Sequence, residues 1–173
     1  MKKVMLVGYM GSGKSSVGAL LASKLGISYY DLDAIIEEIE QLSVSELFTK
    51  KGEIYFRKIE HTALQKTVEI NEPFVLSLGG GTPCYFNNHE LILQDNIVSF
   101  YLKGTAATLS NRLLSEKEKR PLLSSLNAEE LPDFINKHLF DRSYYYHQVS
   151  HVITIESKSV EALATEIYHH YLR

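Results

Sequence analysis

The chain is short of several things that would point to specialised chemistry or an unusual location. Its 173 residues include one cysteine, Cys84, so no internal disulfide can form and a reducing cytoplasm is the expected location. Cys84 stands beside Pro83 with no arranged histidine partner in view, and reads as a small packed side chain and not as a catalytic thiol. There is no long basic run, and a formal net charge of −3 leaves no electrostatic footprint for nucleic acid or a membrane surface. No apolar stretch approaches the length of a membrane span, and the four apolar residues between Lys3 and Gly8 are too few for the core of a signal peptide. Repeats, low-complexity tracts and Pro- or Ser-rich linkers are missing as well. What is there, 45% hydrophobic and 23% charged, describes one soluble domain large enough to bury a core, with a small molecule as the expected substrate.

Apolar runs alternate with helical patterns in the βαβ manner, which calls for one α/β domain with a parallel sheet. Strands are expected at residues 3–7, 27–31, 73–78, 97–102 and 151–155. The first is followed at once by Gly8-Tyr9-Met10-Gly11-Ser12-Gly13-Lys14-Ser15, which satisfies G-x-x-x-x-G-K-[ST]. Glycines let such a loop turn its backbone N–H groups inward as a nest for phosphate oxygens, and the helix that starts beside it offers its positive end to the same oxygens. Val17, Leu20, Leu21 and Leu25 give that helix one apolar face. Gly11, Ser12, Gly13, Lys14, Ser15 and Ser16 are therefore the candidate contacts of a nucleoside triphosphate, with Lys14 reaching the β- and γ-phosphates and the Ser15 hydroxyl ligating Mg²⁺. In the last helix Val160, Leu163, Ala164, Ile167, Tyr168 and Tyr171 recur at packing intervals, so His169 and His170 beside them read as surface residues and not as metal ligands.

Ligands of open parallel sheets bind beyond the carboxyl ends of the strands, and those positions are unusually polar in this chain. The second strand ends at Asp31-Leu32-Asp33, two carboxylates that an extended backbone would project to one side, one for metal and the other for substrate. Asp33 also stands where a helix N-cap is expected, before Ala34-Ile35-Ile36-Glu37, and the two roles are compatible. The third strand offers Ser77 where a generic P-loop enzyme carries a metal-binding aspartate, which leaves Asp31 as the organiser of the Mg²⁺ waters. Gly79-Gly80-Gly81 follows, a place for close approach between backbone and ligand. Arg57 has carboxylates at i−4 and i+3, Glu53 and Glu60, which would suffice for a surface ion pair, whereas Arg142 has no comparable helical partner. The stretch from Leu114 to Pro121 is charged and not obviously amphipathic, as a solvated loop is.

Together, Gly8-x-Met10-Gly11-x-Gly13-Lys14-Ser15, Asp31-Leu32-Asp33, Phe56-Arg57, Leu78-Gly79-Gly80-Gly81, Arg120-Pro121-Leu122-Leu123 and Arg142-x-x-x-Tyr146 resemble the shikimate kinase family, in its order and over nearly the whole chain. The resemblance implies a P-loop kinase fold, three α-β-α layers around five parallel strands in the order 2-3-1-4-5, related to nucleoside monophosphate kinases. It implies transfer of the γ-phosphoryl group of ATP, with Mg²⁺, to the 3-hydroxyl of shikimate. One domain, residues 1–173, would carry a mobile lid at about 112–124 and a shikimate-binding helical segment at about 33–61.

Within that likeness Asp33 accepts from shikimate hydroxyls, and Arg57 and Arg142 clamp its carboxylate, with Glu60 orienting Arg57. Gly79, Gly80 and Gly81 lend backbone contacts, and Phe48 and Phe56 wall the ring, although ordinary core packing would account for both phenylalanines nearly as well. Guanidinium forks match carboxylates, and carboxylates accept from hydroxyls, so the chemistry supports the assignment independently. Arg120 enters from the lid over the phosphates, where such an arginine is worth roughly 10³–10⁵ in rate, and Arg112 stacks on adenine. Lys14, Asp33 and Arg120 are thus the catalytic candidates. Glu156-Ser157-Lys158-Ser159 departs from the pattern, because it lacks the proline or arginine often present in the family's adenine loop. The likeness further implies a cytoplasmic monomer that works on a small molecule, without nucleic acid or membrane. Two other readings stay open. One is another small-molecule P-loop kinase, such as a gluconate kinase, which shares the phosphate site and has equal use for a carboxylate clamp. The other is a nucleotide-binding protein without catalysis, against which the intact Lys14, Asp33 and Arg120 speak.

Overall fold

In the computed structural model, which describes residues 2–114 and 127–173, strand β1 (Lys3–Val7) runs through the middle of a sheet with all five residues buried. A strand covered on both faces needs apolar side chains without alternation, and Val4-Met5-Leu6-Val7 supplies them. Beside it lie β2 (Ser28–Asp31), β3 (Phe74–Ser77), β4 (Ile97–Lys103) and β5 (His151–Thr154), all parallel and ordered β2-β3-β1-β4-β5. Every expected strand is present, and no end differs by more than one residue.

Eight helices among the described residues surround the sheet in α-β-α layers. They are α1 (Lys14–Leu25), α2 (Leu32–Glu40), α3 (Val44–Lys51), α4 (Glu53–Val68), α5 (Asn88–Ile92), α6 (Ala106–Leu114), α7 (Leu131–Tyr146) and α8 (Val160–Tyr171), with a 3₁₀ turn at Thr82–Cys84. Helix α1 packs against α8 and β3, the trio α2, α3 and α4 packs together, and α6 pairs with α7. None of these helices is long and apolar enough to cross a membrane.

Two packing expectations need correction. Val160, placed by its spacing with the buried face of α8, is exposed at the helix start, while Leu163, Ala164 and Ile167 are buried. His170 is half-buried, because its ring meets that of His151 at 4.9 Å and that of Phe100 at 6.5 Å, while His169 is exposed.

What positions the site is the register. Leu6 pairs with Ser77, and Ser77 with Asp31, so three strands end level at one edge of the sheet. The glycine loop after β1, the Gly79–Gly81 turn after β3 and the Asp31–Asp33 corner after β2 are thereby brought side by side, at the place where parallel sheets bind ligands.

Candidate active site

The phosphate loop closes tightly on itself. A Cβ on Gly8 would stand 2.7 Å from Ser12 Oγ and 2.9 Å from the Leu102 carbonyl oxygen, so no larger residue fits. Gly13 adopts φ +94°, a left-handed conformation that turns the chain into α1. Lys14 Nζ donates to the carbonyls of Gly8 at 2.8 Å and Tyr9 at 3.0 Å, which holds the ammonium against the loop. The Ser12 hydroxyl is fully buried with no hydrogen-bond partner among the described residues. A buried polar oxygen left unmet costs about 1–3 kcal/mol, and its place in the glycine loop fits a loop built for phosphate.

The neighbouring corner has the donor set for a hard cation. Ser15 Oγ donates to Asp31 Oδ2 at 3.1 Å, and Tyr29 OH lies 3.4 Å from the same oxygen. Ser77, which takes the place of an acidic residue, donates to the Lys14 carbonyl at 3.0 Å and accepts from Tyr29 at 3.1 Å, so it serves as a strut beneath the loop. Asp31, and not Asp33, is the N-cap of α2. Its Oδ1 accepts from the backbone N–H of Asp33 at 3.0 Å and of Ala34 at 3.3 Å. The helix begins at Leu32, so Asp33 lies inside its first turn and the pair is not displayed by an extended backbone. Both carboxylates nevertheless line one cleft of about 610 Å³, together with Lys14, Ser15, Ser16, Gly79, Gly80 and Arg112.

At the inner end of that cleft burial pushes the Asp33 carboxyl up to about 6, helped by the charges of Asp31 and Glu60 and opposed by Lys14. Behind the Gly79–Gly81 turn sits Arg57, buried on α4 and so not in a surface ion pair. Its Nη1 donates to Glu60 Oε2 at 2.8 Å, while its Nε, 3.5 Å from Glu53, is buried with no hydrogen-bond acceptor among the described residues. Glu60 is itself fully buried and accepts from Thr82 Oγ1 at 2.7 Å; the Thr82 carbonyl accepts from Asn88 at 2.8 Å. Arg142, on α7, comes from the other side. Its Nη1 lies where it would meet a Cβ on Gly80 at 3.4 Å, and its guanidinium lies 5.4 Å from the centre of the Tyr9 ring. Tyr146, one turn on, donates its hydroxyl to the Gly80 carbonyl, and Tyr9 shares a 2.8 Å hydrogen bond with His138 of the same helix. Two arginines and a carboxyl with a raised pKa thus converge on one glycine turn, a constellation suited to a small acid that also carries hydroxyls.

The remaining candidates divide. The Phe48 and Phe56 rings stand 4.6 Å apart, Phe56 buried and Phe48 partly so, and both flank Arg57. Arg112 Nη1 donates to the carbonyls of Gly11 at 3.3 Å and Ser12 at 3.4 Å, at the mouth of the cleft where Val160 also sits. In the unmatched loop, Glu156 accepts from the Thr105 N–H at 2.7 Å and Lys158 pairs with Glu166 at 2.6 Å. Cys84 is half-buried and its thiol is pushed up to about 11 by burial, in keeping with an inert side chain. Arg120, with Pro121, Leu122, Leu123 and most of the expected lid, lies outside the described residues. Sequence reasoning missed Thr82, Asn88 and His138, since Glu60, His61 and Tyr9, which they meet, are far away in the chain; of Tyr146, only the Arg142-x-x-x-Tyr146 spacing gave notice.

The shikimate kinase family model matches residues 10–171. The shikimate kinase of Flavobacterium psychrophilum is 47% identical over 168 residues, which span 97% of this chain and 98% of that protein. Among solved structures, shikimate kinase from Bacteroides thetaiotaomicron superposes with a TM-score of 0.91 at 32% identity, covering 99% of both chains. That from Acinetobacter baumannii, solved in complex with shikimate, superposes with a TM-score of 0.89 at 28% identity, covering 99% of this chain and 93% of the other.

Proposed function

The chain belongs to the shikimate kinase family, and from that premise we propose that it transfers the γ-phosphoryl group of ATP to the 3-hydroxyl of shikimate, giving shikimate 3-phosphate and ADP. The observation that carries this reading is the convergence of Arg57 and Arg142 on Gly80 and Gly81, beside Asp33 and across one cleft from the phosphate loop.

Phosphoryl transfer asks for alignment and charge neutralisation more than for covalent chemistry. The helical segment from Asp33 to His61 supplies Arg57, which with Arg142 grips the shikimate carboxylate; Phe48 and Phe56 stand beside that grip, and Gly79 to Gly81 give backbone contacts. Asp33 accepts from the attacking hydroxyl. A carboxyl raised to about 6 is still ionised at neutral pH, yet holds a proton better than an ordinary carboxylate, so it takes the hydroxyl proton late in transfer. Lys14 moves its ammonium from the loop carbonyls to the phosphates, and Arg120 adds a second charge from the lid. Arg112 packs against adenine, with Val160 close by. Ser15, directly, and Asp31, through water, would hold Mg²⁺, which when bound would supply charge neutralisation at the phosphates. As the family resemblance implies, it acts as a monomer in the cytoplasm.

The deciding experiment is ADP release from Mg²⁺-ATP with shikimate, with gluconate or with no acceptor, and with Lys14→Ala alongside. Shikimate-dependent release that vanishes in the variant is expected. Turnover of gluconate in preference to shikimate would overturn the assignment of the acceptor, and no turnover with either would overturn the kinase.

A further inference from the structure

Tyr85 has no part in the roles above, although among the rings near the buried arginine its ring lies nearest. Its centroid lies 4.2 Å from Arg57 Cζ, against 5.2 Å for Phe56 and 5.8 Å for Phe48. The phenol donates to Glu53 Oε1 at 3.1 Å, and that same carboxylate oxygen stands 3.5 Å from Arg57 Nε. Burial does not explain the placement, because Tyr85 remains 36% exposed. The backbone is also committed to it. Phe86 and Asn87, the next two residues, have φ of +50° and +56°, a left-handed region that a bulky aromatic side chain enters only when the surroundings impose it. This double reversal turns the chain from the 3₁₀ segment into α5 and leaves Tyr85 lying over the guanidinium.

We propose that Tyr85 is a positioning residue for the acceptor carboxylate. Its ring holds the plane of Arg57 by attraction between the cation and the π face, so that Arg57 does not swing into a closed pair with Glu53 and keeps its donors open to the acceptor. Without the ring, Glu53 competes with the acceptor carboxylate for Arg57. The inference rests on Arg57 being the carboxylate clamp, and the test separates the two.

The test compares Tyr85→Ala and Tyr85→Phe with the native protein, using shikimate and its methyl ester, which keeps the hydroxyls and loses the charge. In Tyr85→Ala the KM for shikimate rises about 3- to 10-fold, while kcat and the KM for ATP stay within about twofold and Tyr85→Phe restores the native KM for shikimate. The ester has a raised KM with the native protein, and Tyr85→Ala adds nothing further to it. An unchanged KM for shikimate in Tyr85→Ala, failure of Tyr85→Phe to restore it, or an equal added loss with the ester would overturn the role given to Tyr85. Equal KM values for acid and ester with the native protein would instead overturn the carboxylate clamp itself.

Discussion

Replacing Gly81 by alanine isolates the geometry of the acceptor clamp from the stability of the fold. The backbone there has φ −94° and ψ −14°, which alanine adopts without strain. The added methyl carbon, however, would stand 2.5 Å from Arg57 Nη2, 2.8 Å from Nη1 and 2.9 Å from Cζ. Non-bonded contacts settle near about 3.5 Å, so the guanidinium must retreat by about 1 Å. A free arginine would do this cheaply, as the end of a flexible side chain. This one is buried, pinned to Glu60 at 2.8 Å and enclosed by Tyr85 and Phe56, so it moves as a displaced clamp instead of swinging clear. Misplacement by about 1 Å costs on the order of 10²-fold in a positioned reaction, and here the loss falls on kcat/KM for shikimate, mainly through KM. The KM for ATP stays within about twofold, and overpacking costs only about 1 kcal/mol, or about 2–4 °C in Tm. Gly26→Ala is the matched control, with φ +68° and nothing within 4 Å of the new methyl. It loses about 1 kcal/mol to left-handed strain and keeps both KM values. Steady-state kinetics with each substrate varied, and a thermal melt of each protein, decide the matter. If Gly81→Ala turned over shikimate with native KM, Arg57 would not be the clamp.

Asp33→Asn should cut turnover by about 10²-fold or more while leaving ATP affinity intact, measured by ADP release and nucleotide titration. The same change should stabilise the free protein. A carboxyl raised from 3.8 to about 6 in the fold is ionised at the expense of folding, by up to about 3 kcal/mol above pH 6. That gain appears as pH rises from about 4 to about 6 and is absent below, so melts of both proteins across this range test the sign. Asp31→Ala removes an N-cap and, on the present assignment, the outer support of Mg²⁺. A loss of about 1 kcal/mol in stability is expected together with a raised Mg²⁺ concentration for half-maximal ADP release; a melt shift without a Mg²⁺ effect would leave Asp31 as a cap alone.

The nucleotide half of the site was readable from the chain because its chemistry is local. Glycines at fixed offsets, a lysine and a serine between a strand and a helix already contain the nest, and the structure changed little there. The acceptor half was readable only as scattered residues whose company came from the resemblance. Arg57 illustrates the reason: spacing along a helix names Glu53 and Glu60 as partners but cannot say that α4 is covered, and burial is what turns an ordinary surface pair into a fixed guanidinium. The N-cap was misplaced by two residues for a related cause, since Asp31 and Asp33 are both good caps and the level ending of three strands selected the first.

By itself, then, the sequence determined the parallel α/β class, the strand positions and the phosphate loop, because hydrophobic periodicity and backbone chemistry act between near neighbours. Only the tertiary structure decided which polar groups lose water together. Glu60 meets Thr82 across 22 residues, Tyr146 meets Gly80 across 66 and Tyr9 meets His138 across 129. These bonds, the raised pKa of Asp33 and the stack of Tyr85 on Arg57 depend on burial and on approach between distant segments, which no local pattern encodes.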